Sequence, residues 1–215
     1  MLSEEGLKFS KGNSYLGKGV WSFNLVSGTT CPYADTCLAF TDRETGKLSK
    51  GKNMIYKCYS AAGERYPNVR NLVWNNYELL KKASSMDEIV DLINKAFPKN
   101  AKAIRIHAGG DFFSQVYFDA WLEVISERPE VEFWAFTKSL PLWIKRINEI
   151  PENLELIASY GGTKDYLIKE HGLKSALIVQ NQTVADLLEL EVDDNDRLAR
   201  LKNGDSFALI DNFAK

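Results

Sequence analysis

From residue 103 onwards, segments with the pattern of β-strands alternate with segments with the pattern of α-helices. The predicted strands lie at 103–108, 131–137, 154–159, 175–180 and 206–211. The predicted helices lie at 115–127, 140–150, 164–171 and 183–190. Alternation at intervals of about 20 to 30 residues is typical of βαβ units, in which consecutive strands run parallel. The pattern therefore predicts an α/β fold with a parallel sheet.

An earlier strand is predicted at 20–26, where bulky and polar residues alternate, and it brings the predicted sheet to six strands. A doubly wound open sheet and a full or partial βα barrel both fit this order. Residues 1–19 are rich in Gly, Lys and Ser and are predicted to form an irregular lead-in. Because no Pro- or Ser-rich linker interrupts the 215 residues, we expect a single domain.

The first predicted strand runs into a loop at 27–60 that contains all three cysteines, Cys31, Cys37 and Cys58. An odd number of cysteines argues against a disulfide framework. Structural zinc sites use four protein ligands, whereas an iron–sulfur cluster is held by thiolates and can leave one iron open. Three cysteines without a close fourth favour an open position. Zinc with His107 as fourth ligand, a nucleophilic Cys–His pair, and simple burial, above all of Cys58, are the alternatives.

Polar residues follow the predicted strands, where the ligand sites of parallel α/β proteins lie. These strand ends are Gly109-Gly110-Asp111, Thr137-Lys138-Ser139, Ser159-Tyr160-Gly161-Gly162 and Gln180-Asn181. Helix capping accounts for residues such as Ser139 and Asn181 but not for Lys138. We therefore predict a ligand site at this edge of the sheet.

Alternation within the strand at 103–108 gives its side chains two directions. Ile104 and Ile106 suit the helix side, which directs Arg105 and His107 towards the interior of a barrel. A buried arginine requires an acidic partner. Glu132 and Glu155, within the next two strands, are the candidates.

The net charge of −2 gives no general attraction to nucleic acid. Residues 47–74 nevertheless combine basic and aromatic side chains, a composition that can bind phosphates and stack bases; a solvated loop is the alternative. The basic members are Lys47, Lys50, Lys52, Lys57, Arg65 and Arg70, and the aromatic members are Tyr56, Tyr59, Tyr66 and Trp74. The acidic run at 193–196 lacks the downstream glutamate of a calcium loop and is predicted to lie on the surface.

No apolar run approaches the length of a membrane span, and the first residues are polar and acidic. We therefore expect a cytoplasmic protein without a membrane partner.

The order of these features resembles the radical S-adenosylmethionine (SAM) enzymes, whose partial barrel has six βα units. The resemblance implies that residues 20–211 form such a parallel partial (βα)6 barrel. The resemblance implies a [4Fe–4S] cluster on Cys31, Cys37 and Cys58, and SAM bound through its amine at Gly109, Gly110 and Asp111. It also implies contacts of Lys138, Ser159 and Gln180 with cofactor or substrate, and catalytic roles for Lys138 and His107. The cysteines are spread over residues 31–58 rather than arranged as Cys-x3-Cys-x2-Cys, and Asp111 replaces a glutamate.

Several short stretches of sequence also resemble a phage and plasmid family called "gene product eighty-eight". They are Cys-Pro-Tyr-Ala-Asp-Thr-Cys, Asp-Arg-Glu-Thr-Gly-Lys, Gly-Asp-Phe-Phe-Ser and Phe-Thr-Lys-Ser-Leu-Pro. A phage product would act in the host cytoplasm. Two functions follow: an iron–sulfur enzyme of radical SAM type, or a module stabilised by Fe–S or zinc that binds nucleic acid or protein without catalysis.

Overall fold

The computed structural model describes residues 6–12 and 19–211, which form nine strands and eight helices. The strands are β1 (Phe9–Lys11), β2 (Val20–Phe23), β3 (Ala39–Thr41), β4 (Leu48–Lys50), β5 (Ala103–Ile106), β6 (Glu132–Thr137), β7 (Leu154–Ser159), β8 (Ser175–Val179) and β9 (Phe207–Ile210). The helices are α1 (Tyr59–Gly63), α2 (Pro67–Lys82), α3 (Met86–Ala96), α4 (Gln115–Ser126), α5 (Leu140–Ile144), α6 (Tyr166–Glu170), α7 (Gln182–Leu187) and α8 (Arg197–Arg200).

Seven of the described strands form one sheet in the order β1-β2-β5-β6-β7-β8-β9. Apart from β1, which is antiparallel to β2, all neighbours are parallel, so the six predicted strands are confirmed as a parallel set in chain order. A doubly wound sheet would reverse its order at a switch point, and this one does not. Among the described strands β1 and β9 each have one sheet neighbour, so the sheet does not close into a barrel.

The predicted lead-in at 1–19 lies partly outside the described residues. Where it is described, it includes the strand Phe9–Lys11 rather than irregular structure alone. Its Phe9 ring packs on Phe23 and Trp121, with ring centres 4.9 and 6.3 Å apart. This contact explains the strand, because it covers the apolar edge of the core next to β2.

The outer face of the sheet is covered by helices, and α4 supplies much of the core. Ser114 caps α4 by accepting a hydrogen bond from the Tyr117 amide, as the sequence predicts. The helix buries Phe118, Trp121 and Ile125 against the sheet. The predicted helix at 140–150 is shorter, since α5 ends at Ile144 and the chain continues in turns closed by bonds to the third residue back.

The inner face of the sheet is partly filled by α8, which the sequence pattern does not predict. Leu198 and Ala199 of α8 join an apolar cluster on this face. The sheet contributes Val20, Ala103, Trp134, Ile157, Ala176 and Phe207 to that cluster. The prediction that residues 193–196 lie on the surface is wrong for Asp193 and Asp196, which are buried. None of the described helices is long and apolar enough to cross a membrane.

Candidate functional site

The cysteine loop, residues 27–60, lies across the carboxyl ends of the parallel strands. It leaves β2 and reaches the end of β7, where the amides of Asp35 and Thr36 donate to the Gly161 carbonyl. Gly161 has a φ of +95°, and a Cβ at this position would lie 2.1 Å from Thr36 Oγ1. Glycine is therefore required here both for the backbone conformation and for the close approach of the loop.

All three cysteines are reduced and partly buried. Burial raises the pKa of the Cys31 thiol well above its usual value, and the negative charges of Asp111, Cys58 and Cys37 raise it further. Burial also raises the pKa of Cys58, whose sulfur caps α1 by accepting from the Ala61 amide at 3.5 Å. The three thiols and Asp111 therefore lie within electrostatic range of one another.

The described residues contain no group of three or more His, Cys, Asp or Glu side chains that could hold a metal ion as placed. Zinc requires its ligand atoms about 2.0 to 2.3 Å from one ion, so a zinc site brings the ligands close together. A four-iron cluster holds its cysteines on separate irons and spreads them further apart. The thiols are thus near enough to interact electrostatically but are not arranged as a preformed single-ion site.

Asp111 links the end of β5 to the end of β6. Its Oδ1 accepts from Thr137 Oγ1 at 2.6 Å and from the Phe112 amide at 2.7 Å, and Oδ2 accepts from the Lys138 amide at 2.8 Å. Burial raises the pKa of this carboxyl group, although the hydrogen bonds oppose the shift. A carboxylate offers about four lone-pair positions, so roughly one remains, on Oδ2, for a ligand.

Lys138 extends into the same polar site and is nearly buried, with 8% exposure. Its Nζ donates to Ser159 Oγ at 2.6 Å. Burial alone would lower the pKa of this amine, but the negative charges of Cys37, Tyr56, Asp111 and Cys31 together raise it. The raised pKa favours the ammonium form of Lys138, which can bind an anion.

Gly109 and Gly110 make room for protein rather than for an open ligand space. A Cβ on Gly109 would lie 1.9 Å from Ser60 Oγ. Gly110 has a φ of +81°, and a Cβ there would lie 2.6 Å from Thr30 Oγ1. The structure thus packs this glycine pair against the cysteine loop, which holds the loop at the end of β5.

His107 lies on the helix side of the sheet and not in the interior, contrary to the alternation argument. Its Nε2 is 2.8 Å from the Tyr117 hydroxyl of α4, and its ring packs against Phe112. Burial lowers the pKa of His107 to about 3, so the ring is neutral. The strand ends at Ile106, and alternation no longer fixes the direction of the next side chain.

Arg105 does lie on the inner face, but its acidic partner is Asp196, 2.9 Å away. The candidate partners are engaged elsewhere, Glu132 with Arg200 and Glu155 with Lys174. Gln180 is exposed after β8, and within the described residues no contact joins it to Lys138 or Asp111.

Two tyrosines of the site were assigned by sequence to the basic-aromatic segment. Tyr56 donates to the Tyr160 carbonyl at 3.2 Å. Burial raises the pKa of its hydroxyl, Lys138 opposes this shift, and Cys37 adds to it. Tyr59 donates to the Ala108 carbonyl at the end of β5. The signal that could have identified them is their position, two residues before and one residue after Cys58.

The basic-aromatic segment at 47–74 does not form one continuous surface. Arg70 is buried and donates to the carbonyls of Arg43, Glu64 and Arg65, while the Trp74 ring lies under the Arg43 guanidinium, 4.8 Å from its centre. Its exposed members are Lys47, Lys50, Lys52, Lys57, Tyr59, Arg65 and Tyr66. Arg65 and Tyr66 line a cleft of about 360 Å³ beside Gly46.

These features define a mixed α/β protein with a mainly parallel, open sheet and a cysteine-containing polar site at its carboxyl edge. The family model for Gene product 88 (GP88) matches residues 3–213, and the chain belongs to that family. This confirms the family resemblance of the short stretches of sequence. It assigns no reaction.

Two curated relatives carry the name Gene 88 protein. The one from Mycobacterium phage L5 is 37% identical over 90 residues, and the one from Mycobacterium phage D29 is 36% identical over 90 residues. Each match covers 38% of this chain and 38% of the relative, so it spans well under half of either protein. No solved structure matches the chain.

Proposed function

We propose that this member of a phage family is an iron–sulfur protein that holds a [4Fe–4S] cluster through Cys31, Cys37 and Cys58. The observation that carries the proposal is the position of the cysteine loop, which is bonded to Gly161 and packed on Gly109 and Gly110 at the carboxyl edge of the sheet, with its three thiols within electrostatic range of one another. The buried cation of Lys138 interacts with Cys37 and Cys31 and would stabilise their thiolates. Thiolates are the form in which cysteine binds metal.

The donor set fits a cluster better than a zinc ion. A structural zinc site needs four protein ligands, and three cysteines supply only three. His107, the predicted fourth ligand, is turned towards Tyr117 on the other side of β5. A cluster with three cysteine ligands leaves one iron without a protein ligand, which suits this donor set.

The open position would face groups that suit the amino acid end of SAM. Lys138 offers a cation to a carboxylate, and Ser159 and the free lone pair of Asp111 offer hydrogen bonds to an amine. A bound cluster of this type supplies the electron for reductive cleavage of SAM. The residues of this chain would bind and orient the cofactor and exclude water beneath the cysteine loop.

We also propose that the parallel sheet is an opened βα barrel of the radical SAM kind. The sequential order of β2, β5, β6, β7, β8 and β9 supports this, since a barrel adds each new strand beside the last. Helix α8 would occupy the lower part of its interior. The upper part, next to the cysteines, would remain for the cofactor.

The test is anaerobic reconstitution of the full chain, followed by measurement of iron, sulfide and zinc. We expect about four irons and four sulfides per chain and absorption near roughly 400 nm, as for thiolate-ligated clusters. Cys31→Ala, Cys37→Ala and Cys58→Ala should each lose most of the iron. Ser126→Ala, on the outer helix α4, is the matched control and should load normally.

Cleavage of SAM is measured separately, as 5′-deoxyadenosine released in the presence of dithionite. A loaded cluster that does not cleave SAM would reject the SAM proposal and retain the iron–sulfur protein. One zinc per chain without iron or sulfide would reject both, and would favour a zinc-stabilised binding module. Salt-dependent gel shifts with single-stranded and duplex nucleic acid then test that module.

A further inference from the structure

Arg105 is an inner-face arginine whose hydrogen-bonding capacity the protein satisfies only in part. Its Nη1 lies 2.9 Å from Asp196 Oδ2, while its Nε is buried without a hydrogen-bond partner among the described residues. A guanidinium carries five N–H donors in a rigid fork that matches carboxylate and phosphate groups. Because unmade hydrogen bonds of a desolvated charge are costly, the remaining donors favour an anionic ligand.

The guanidinium lies close to the cysteine site but below it. Its Cζ is 5.0 Å from the centre of the Phe136 ring on β6. Lys138 follows Phe136 by two residues on the same face, which corresponds to about 7 Å along a strand. A small molecule can therefore contact Arg105 with one end and the region of Lys138 and the cysteines with the other.

Tyr59 lines the space between these two positions. Its side chain is 53% exposed, although its hydroxyl donates to the Ala108 carbonyl and its neighbours include the charges of Arg105 and Asp196. Tyr59 is thus a large aromatic side chain that a ligand can reach next to inner-face charges. On the same face, the fully buried Trp134 donates from Nε1 to Asp196 Oδ2 at 2.9 Å.

We propose that Arg105 and Tyr59 form an anion-binding subsite for the carboxylate or phosphate group of a small-molecule ligand. Arg105 supplies the guanidinium contact, and the exposed ring of Tyr59, on the cysteine-loop side, packs on the ligand. The proposal rests on the proposed function, since it names the chemical class of ligand for that same site. Its test uses metal-free protein, so failure of the subsite and failure of the cluster are separate results.

The experiment is isothermal titration of chelator-treated full-length protein with inorganic phosphate and with succinate, at constant ionic strength. We expect one anion per chain. The double variant Arg105→Gln/Asp196→Asn removes the guanidinium without leaving an unpaired carboxylate, and it should weaken binding by about tenfold or more. Tyr59→Phe should weaken binding by a smaller factor.

The matched control is Arg146→Gln/Asp119→Asn, which removes another arginine–aspartate pair, 2.8 Å apart, between the turn after α5 and helix α4 on the outer face. This variant should bind the probes like the wild type. Preference for phosphate identifies a phosphorylated ligand, and preference for succinate identifies a carboxylic acid. No binding by the wild type, or equal binding by the Arg105 double variant, overturns the proposal.

Discussion

The ammonium group of Lys138 lies 2.6 Å from the hydroxyl of Ser159, and this hydrogen bond joins the carboxyl ends of β6 and β7 on the inner face of the sheet. The two positions continue the parallel register in which Phe136 is opposite Ile157. A buried cation at this point faces the thiols of Cys37 and Cys31. The strand ends thus create a positive centre beneath the cysteine loop.

Lys138→Met should weaken iron binding by about 10- to 100-fold, the usual cost of removing a group that supports metal ligands. The physical reason is that the thiolates of Cys37 and Cys31 lose a buried cation that interacts with them. Competition with a chelator measures the affinity. Ser159→Ala, which removes the hydroxyl partner and keeps the cation, should have a smaller effect.

The effect of Lys138→Met should also be constant between about pH 6 and 9. The folded-state pKa of Lys138 is raised above its usual value of 10.5, so the cation is fully present at lower pH and is lost only as the pH rises through that folded-state value. A contribution of Lys138 that disappears near neutral pH would contradict this assignment.

The position of this site could be predicted from sequence because strand patterns and parallel topology determine it together. The alternation around Trp134 and Phe136 places Lys138 on the inner face, and parallel order places its strand end beside that of Ser159. Local rules also predict the cap Asn181. The strand positions and the helix caps can be predicted because each depends only on residues close in sequence or on the two-residue period of a strand. The capping prediction is wrong for Ser139, whose hydroxyl makes no capping bond and donates to the Phe112 carbonyl instead.

Other parts of the site depend on contacts that no local pattern encodes. Asp196 reaches Arg105 from the position just before α8, a helix of four residues that is too short to show a helical periodicity. His107 follows the last residue of β5, so the rule of alternation ends just before it. Tyr56 and Tyr59 belong to the site because the cysteine loop folds back over the sheet, a tertiary event.

His107 should make the protein sensitive to acid. Its folded-state pKa of about 3 lies below the usual 6.5, so the unfolded chain binds the proton more readily, and stability falls as the pH drops from 6.5 towards 3. His107→Gln should reduce the slope of unfolding free energy by up to about 1.4 kcal/mol per pH unit in this window. Denaturant titrations at pH 6, 5 and 4 measure it.

The control is His171→Gln, since His171 is the chain's other histidine and is exposed. It should leave the slope unchanged. Equal slopes for His107→Gln and the wild type would show that His107 titrates normally in the folded protein.

Asp196 should hold α8 on the inner face. Its Oδ2 accepts from Trp134 and pairs with Arg105, so Asp196→Ala leaves a buried indole N–H and a guanidinium without a partner. We expect a loss of about 2 to 3 kcal/mol in unfolding free energy, below the value for a fully buried pair because Arg105 is partly exposed.

Asp196→Asn removes the charge but keeps a side chain that tolerates the φ of +60° at this position. It therefore separates the loss of charge from backbone strain, and it should reduce stability less than Asp196→Ala does. Asp194→Ala tests the same segment at an exposed position and should change stability by less than about 0.5 kcal/mol. An Asp196→Ala variant as stable as Asp194→Ala would show that α8 is held by its apolar contacts alone.

Substitution of Gly161 should lower both the stability of the protein and its ability to bind iron. An alanine there would place its Cβ 2.1 Å from Thr36 Oγ1 and 2.7 Å from the Tyr56 hydroxyl, at a φ of +95° that side chains rarely adopt. Strain and overpacking together should cost about 2 to 5 kcal/mol. Because Thr36 and Tyr56 flank Cys37 and Cys58, a shifted loop should also bind less iron.

Gly172→Ala separates the two causes, since Gly172 also has a positive φ, +59°, but a Cβ there would meet nothing within 4 Å. It should cost only the backbone strain, about 1 to 2 kcal/mol, and should leave iron binding unchanged. Unfolding by denaturant and iron content per folded chain are measured for both variants. If Gly161→Ala loses stability but loads iron like Gly172→Ala, the contact of the loop with β7 does not position the cysteines.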